Sequence, residues 1–346
     1  PPPMSETAEP VHPDGGPRSA VGGPPTAFVT GGTGFVGSHL VEKLLARGHR
    51  VRALARGDLK WLDGLDVEVV RGALDDAAAL RAALDGVDAV YHVAGLTRAP
   101  TAAALEAANV GGTRTLLDAA QAAGVPRVLV TSSQAAAGPS TGAPLTEADP
   151  PRPLTAYGRS KAAMEVMVAE HPLAPQTVVV RPPAVYGPRE ADIYTILRAA
   201  DKQRLFPIVG SAKRPALALV HVRDLVRGMA DALAADAALG EVFYLTGPRD
   251  YAWGEIHRAV EVALGHRALR VPVPAGLVGP VGAVVEGIGG LFGAYPPLNR
   301  EKALEARATW QATSEKAARV FGYVPRVELE EGMRETVAWY REHGWL

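Results

Sequence analysis

The chain has 346 residues, 47% of them apolar, enough to bury a large core as one big domain or two closely fused ones. Lys plus Arg (36) nearly cancel Asp plus Glu (37) and neither sign runs in blocks, so no long-range field marks a nucleic-acid or acidic-membrane partner. Cysteine is absent, which excludes disulfides and thiolate metal ligands and fits a reducing cytoplasm; the nine histidines include no pair at zinc-helix spacing, so no metal site is expected.

Residues 1–25 hold eight prolines and four glycines with almost no large aliphatic side chains, so burial there cannot offset the entropy of ordering and a disordered tail is expected. From Thr26 the chain alternates short β-branched runs with alanine-rich helical periods, the pattern of parallel βαβ units. The expected strands are AFVT (27–30), RVRALA (50–55), VEVV (67–70), DAVYHV (88–93), RVLVTS (127–132), TVVVR (177–181) and VFYLT (242–246). Helices are expected over 35–47, 75–84 and 102–123, the second opened by an aspartate suited to capping. The fold class is α/β, with a doubly wound parallel sheet over 26–182 to which 218–246 returns. Residues 183–217 and 247–346 are expected to form a smaller substrate-binding lobe.

The first strand runs straight into TGGTGFVGSHL, where Gly31, Gly34 and Gly37 space a turn that opens a helix. The first glycine permits the tight turn, the second lets backbone approach a pyrophosphate, and the third allows close helix-to-strand packing. Thr33, Phe35 and Val36 complete that turn as candidate dinucleotide contacts. At the end of the second strand Ala55 stands where an acidic residue would receive the ribose hydroxyls of NAD, and Arg56 follows it. Arginine can fork onto a 2′-phosphate and Lys60 can add a charge, so NADP(H) is expected over NAD(H).

In TAYGRSK, Tyr157 and Lys161 lie one helical turn apart after the fifth strand, whose end carries Thr131, Ser132 and Ser133. A free phenol titrates near ~10, and an ammonium one turn away is expected to lower that value and tune Tyr157 as a proton donor. Ser133 would hold the substrate oxygen beside the phenol, and Lys161 would reach the nicotinamide ribose.

Together with TGGTGFVG, YHVAG (91–95), NVGGT (109–113), VTSSQAAAG (130–138), YGRSK (157–161), RPPAVYGP (181–188) and VHVRDL (220–225), in that order, the chain resembles the extended short-chain dehydrogenase/reductase superfamily over about 26–346. The resemblance implies a Ser133, Tyr157, Lys161 catalytic triad, with Asn109 supporting the proton relay. It also implies cofactor contacts along Val93, Ala94 and Gly95 and along Arg181, Pro182 and Pro183, with Thr131 nearby, and a homodimer through a four-helix interface containing the Tyr157 helix. Thr97 and Tyr186 are candidate substrate contacts. His221 is a candidate pocket residue and Asp224 a helix cap.

Two departures qualify the resemblance. At RGALDD, Ala73 and Leu74 stand where the family usually places an aspartate and a leucine, so an adenine contact is missing or falls to Asp75 or Asp76. At RPPAVYG, Ala184 replaces the asparagine whose amide serves a sugar-nucleotide diphosphate; a hydrogen bond to a charged group contributes about 1.5 to 3 kcal/mol. The leading expectation is therefore an oxidoreductase that reduces a ketone or aldehyde of a moderately apolar small molecule. A nucleotide-sugar epimerase or dehydratase with tightly held NAD is the alternative, and a non-catalytic dinucleotide sensor a second one. In the lobe, 275–292 reads as an apolar helix that serves as lid, core or bilayer-grazing segment; it is too interrupted for a membrane span. Tyr194, Phe206, Tyr251, Trp253 and Tyr295 are further aromatic candidates for a substrate wall or core.

Overall fold

The computed structural model describes residues 23–209, 215–273, 304–305 and 308–346. In chain order its strands are β1 (Thr26–Thr30), β2 (Arg50–Ala55), β3 (Val67–Arg71), β4 (Ala89–His92), β5 (Val128–Thr131), β6 (Thr177–Arg181), β7 (Ala184–Tyr186), β8 (Leu205–Val209), β9 (Pro215–His221), β10 (Val242–Tyr244), β11 (Asp250–Ala252) and β12 (Leu269–Val273). Its helices are α1 (Phe35–Ala46), α2 (Ala77–Ala83), α3 (Ala102–Glu106), α4 (Gly112–Ala122), α5 (Gln134–Ala137), α6 (Ala156–Glu170), α7 (Asp192–Arg198), α8 (Val222–Ala234), α9 (Trp253–Leu264), α10 (Glu315–Phe321) and α11 (Leu329–Glu342).

All seven strands expected from sequence form one parallel sheet in the order β3-β2-β1-β4-β5-β6-β10. Successive residues of each strand face opposite sides, so apolar runs feed two cores at once. Val29 and Val180 join Leu40 and Leu44 of α1 and Leu225 and Met229 of α8 on one face. Phe28 and Val179 join Leu80 of α2, Leu116 of α4 and Met164 of α6 on the other. Each fully buried leucine contributes about 2 kcal/mol, so helices on both faces are what the strand pattern requires. Because β1 pairs with β2 on one side and β4 on the other, the winding reverses there and a crevice opens at the strands' carboxyl ends.

The helix expected over 102–123 is divided: α3 and α4 flank a π-helical turn at Ala107–Gly111, which carries Asn109. Asp76, rather than Asp75, caps α2 by accepting from Ala79 N at 2.9 Å. The chain returns to the sheet later than expected. The strand through Leu217 to His221 does not rejoin it, because the free edge of β6 is taken by β10; instead β9 is the middle strand of a small sheet, parallel to β7 and antiparallel to β11. β8 and β12 form a separate parallel pair.

Asp224 is not the helix cap expected of it. His221 occupies that place, its Nδ1 accepting from Arg223 N at 3.3 Å. Asp224 is buried and accepts from Arg326 N and Val327 N, both at 2.8 Å, and from Arg227 at 2.6 Å, tying α8 to the segment before α11. The last helix, α11, closes the molecule: Met333, Val337 and Tyr340 are buried with Tyr251, Ile256 and Val260, and Trp339 and Trp345 pack against them. Among the described residues no helix is long and apolar enough to cross a membrane, and none group as a metal site. The tail up to residue 22, the apolar stretch 275–292 and Tyr295 lie outside the described residues. Pro25 already belongs to the fold, since its carbonyl accepts from Arg50 N at 2.9 Å.

Removing one partner of a buried ionic tie leaves the others unpaired and costs about 3 to 5 kcal/mol. Asp224→Ala is expected to lose stability on that scale in urea unfolding, with an Asp224→Asn variant losing less; wild-type stability in Asp224→Ala would show that the tie is dispensable.

Candidate active site and dinucleotide cleft

Gly31 has a left-handed φ of +74°, and a Cβ there would lie 2.7 Å from Ala94 N, so only glycine lets the first turn meet the end of β4. A Cβ on Gly37 would lie 2.1 Å from Gly31 O, which requires glycine at the third position as well. Gly34 N donates to Gly31 O at 3.0 Å and caps α1 without any side-chain hydrogen bond. No acidic residue occupies the first turn of α1, so the amide groups around Phe35 and Val36 and the positive end of the helix dipole suit a pyrophosphate.

The cleft beside this turn has a volume of about 690 Å³. Gly31, Thr33, Arg56, Ala73, Leu74, Ala94 and Gly95 all line it, as expected from sequence, together with Asp75. Arg56 is exposed and makes no ion pair among the described residues, with Asp58 or any other carboxylate. Asp58 instead accepts from Lys60 N at 3.1 Å. Lys60 opens a 3-10 turn, Lys60–Leu62, with a φ of +50°, and it is not among the residues lining the cleft. Asp76 is committed to capping α2, so Asp75 is the aspartate left facing the adenine end. The glycine cradle, the open helix terminus and the free guanidinium fit a dinucleotide.

Beyond Gly95, outside the residues that line the cleft, Ser133 caps α5, its Oγ accepting from Ala135 N at 3.1 Å. Thr155 caps α6 in the same way through Gly158 N, at 3.1 Å. The two helices meet at Gly158: a Cβ there would lie 2.4 Å from Ala135 O. That approach brings the Tyr157 hydroxyl within reach of the Ser133 hydroxyl. Lys161 is buried, its Nζ donating to Thr131 O at 2.8 Å, and a Cβ added at Gly95 would sit 3.2 Å from it. Thus Ser133, Tyr157, Lys161 and Thr131 converge where the sequence placed them.

Asn109 joins them through its neighbours. Its Oδ1 accepts from Leu96 N and its Nδ2 donates to Leu96 O, each at 2.9 Å, and Nδ2 also donates to Ser160 Oγ at 2.9 Å. Behind it lies a buried wire that the sequence did not disclose. Thr113 Oγ1 donates to Asn109 O at 2.6 Å, so it accepts from His92 Nε2 at 2.9 Å, and His92 Nδ1 then accepts from Thr30 Oγ1 at 2.7 Å. Burial, aided by the Lys161 charge, pushes the His92 imidazole down to about 3, which keeps it neutral.

The electrostatics differ from expectation. Burial raises the Tyr157 phenol to about 12, against the Ser133 hydrogen bond and with a further push from the Glu305 carboxylate. Burial also lowers Lys161 to about 8, with Glu165 pulling the other way. In the free protein burial therefore holds the phenol above its ordinary value, and the expected lowering by the Lys161 ammonium is not seen.

Several expected contacts lie elsewhere. Arg181 spends its guanidinium on Glu165, with Nη2 at 2.5 Å, and Glu165 also accepts from Ser132 Oγ at 2.5 Å. Pro182 O accepts from Gln134 N at 2.9 Å, so the backbone after Arg181 runs beside the Ser133 turn. Val93 donates to Thr30 O at 3.2 Å and is half-buried, while Thr97 is exposed on the loop after β4. Tyr186 is 2% exposed and packs edge-on to His221, with ring centroids 5.1 Å apart, inside the lobe core. Neither residue faces the cleft. Phe206 and Tyr251 are likewise core, and Tyr194 and Trp253 pack against it.

Residues 27–245 match the model of the NAD dependent epimerase/dehydratase family. A ceramide reductase of Caulobacter vibrioides is 34% identical over 325 residues, 92% of this chain and 95% of that protein. A 2-alkyl-3-oxoalkanoate reductase of Stenotrophomonas maltophilia is 30% identical over 90% of this chain and 98% of its own length. Among solved structures, the dTDP-glucose 4,6-dehydratase DesIV of Streptomyces venezuelae, with NAD bound, aligns with a TM-score of 0.76 at 26% identity, covering 92% of this chain and 98% of that one.

Misplacing a reacting group by about 1 Å can cost on the order of a hundredfold in rate. Gly158→Ala is expected to reduce turnover on that scale while dinucleotide affinity, measured by fluorescence titration, changes far less. Equal losses of both would mean that the α5 and α6 contact serves the cleft as a whole.

Proposed function

The chain belongs to the NAD dependent epimerase/dehydratase family, and from that premise we propose that it is an NADP(H)-dependent reductase of a ketone or aldehyde in a moderately apolar small molecule. The observation that carries the reading is the Tyr157 hydroxyl within reach of Ser133, with buried Lys161 set against Gly95 of a cleft fit for a dinucleotide. When bound, the dinucleotide supplies the hydride. Ser133 accepts from Ala135 N, and its one hydrogen, turned toward the phenol in the free protein, passes to a carbonyl oxygen when substrate binds. Tyr157 then gives its proton to that oxygen as negative charge builds there. Lys161 supplies positive charge beneath the site, and Asn109 holds the Leu96 backbone against the cleft wall.

Three features support reduction with NADPH. Arg56 stands unpaired at the rim of the cleft after Ala55, suited to a 2′-phosphate. Ala184 is exposed and offers no amide to a sugar-nucleotide diphosphate. Two proteins similar across nearly their whole length are named as reductases, one of ceramide and one of a 2-alkyl-3-oxoalkanoate, the second name specifying an oxo group. The alternative, a sugar-nucleotide epimerase or dehydratase, is favoured by the likeness to the NAD-bound dehydratase. It uses the same triad but returns the hydride, so it holds its cofactor and consumes none. We further propose a homodimer and a cytoplasmic location.

A panel of ketones and aldehydes, followed at the nicotinamide absorbance with NADPH and NADH, is expected to show net NADPH oxidation that Tyr157→Phe reduces by about 10² to 10⁴-fold. Tightly retained NAD with turnover of UDP- or dTDP-sugars and no net oxidation would establish the alternative. The pH profile follows from the two titrating groups. Reduction needs Tyr157 protonated and Lys161 charged; as pH rises, Lys161 loses its proton first, near about 8, while Tyr157 stays protonated to about 12. For the reductive direction kcat/KM is expected to be level below about pH 8 and to fall above it. A level profile through that region would remove Lys161 from the charge balance.

A further inference from the structure

Arg56 has no ion pair of its own among the described residues, so the backbone of the loop it begins decides where its guanidinium lies. That loop is pinned on two sides. Leu62 is buried at its base, within 3.4 Å of where a Cβ on Gly32 would stand, in the glycine turn itself. Gly57 O accepts from the Arg71 guanidinium of β3. Trp61 points the other way, out of the dinucleotide domain, and meets residues from remote parts of the chain.

Its ring lies 5.3 Å, centroid to centroid, from Trp339 and 6.4 Å from His343, both of the terminal helix segment, edge to face in each case. Trp339 and His343 stack on each other at 4.0 Å. The Arg189 guanidinium covers the Trp61 ring at 5.1 Å from its centroid. Arg189 also donates to Ser38 Oγ at 3.0 Å and to Glu42 at 2.6 Å, both on α1, the helix that opens at the pyrophosphate turn. Its φ of +73° is a conformation that a non-glycine residue keeps only where its surroundings hold it. The next residue, Glu190, supplies that hold: its carbonyl accepts from Tyr340 Oη of α11 at 2.5 Å. Trp61 is thus clasped between Arg189 and the terminal helix, five residues beyond Arg56.

We propose that Trp61 is a positioning residue for cofactor discrimination: clasped by Arg189 and Trp339, it holds the loop so that Arg56 meets the 2′-phosphate of an adenine dinucleotide. The terminal helix of the substrate lobe thereby sets part of the cofactor preference without touching the cofactor. The inference rests on the NADP(H) reading of Arg56 given above. Residues acting through a chain of contacts change a remote affinity by roughly threefold to thirtyfold.

The test uses the full chain and isothermal titration with adenosine 2′,5′-bisphosphate and adenosine 5′-monophosphate, two probes that differ in the 2′-phosphate and need no turnover. Trp61→Ala and Trp339→Leu are expected to weaken the bisphosphate by roughly threefold to thirtyfold while leaving the monophosphate unchanged, and Trp61→Phe to restore wild-type discrimination. Should Trp61→Ala fail to fold, Trp61→Leu carries the same comparison. Arg56→Ala separates the two claims. If it loses discrimination and the Trp61 variants do not, or if those variants weaken both probes alike, this proposal is overturned and the cofactor reading stands. If Arg56→Ala itself leaves discrimination unchanged, both are overturned together.

Discussion

The active site depends on two backbones approaching closer than any side chain would permit. Gly158 lies in the first turn of α6 with Ala135 O where its Cβ would be, and each helix is capped by a hydroxyl residue next to that contact, Ser133 on α5 and Thr155 on α6. Because Tyr157 immediately precedes Gly158, the packing contact also sets Tyr157 beside Ser133. The same logic operates at the opposite end of the cleft, where Gly31 and Gly37 let the first turn press against Ala94 and against itself. The glycine turn and the Ser133–Tyr157 pair are both positioned by missing Cβ atoms, which fixes them more firmly than flexible side chains could.

Burial then decides the charge states. Desolvation moves the phenol up and the ammonium down, so both groups are displaced toward their neutral forms. For reduction this is not a defect: a phenol that stays protonated to high pH is always loaded with the proton it must give. Its release is promoted by the charge that develops on the substrate oxygen, which appears only as the reaction proceeds. The neutral His92 wire behind the site contributes rigidity without adding a competing charge.

The seven parallel strands and the glycine turn were legible in the sequence because apolar runs and glycine spacing are local signals, readable before any long-range contact is known. Ser133, Tyr157 and Lys161 were legible for a related reason: each sits beside a strand end or helix start that the pattern locates. What escaped was decided by partners far away in sequence. Asp224 looked like a cap and became a tie to Arg326 and Val327, some hundred residues on. β9 looked like a sheet strand and was displaced by competition for the edge of β6. Tyr186 follows the stretch expected to flank the cofactor, yet its ring turns into the lobe core against His221. His92 was inside a quoted motif, but nothing in YHVAG tells that Thr30 and Thr113 lie at hydrogen-bond distance on either side of it.

A family that includes both reductases and dehydratases raises the question of where the difference is encoded. The triad does not encode it, since the same acid and base can deliver a proton once or shuttle it out and back. On the proposed reading, the distinguishing residues of this chain, Arg56 and Ala184, stand outside the triad, one at the adenosine end of the cleft and one at the start of the lobe. Arg56 is positioned by a loop whose outer side is covered by the lobe's own terminal helix. On that reading, exchange of cofactor and choice of substrate follow from residues outside the triad and from the contact between the Trp61 loop and α11.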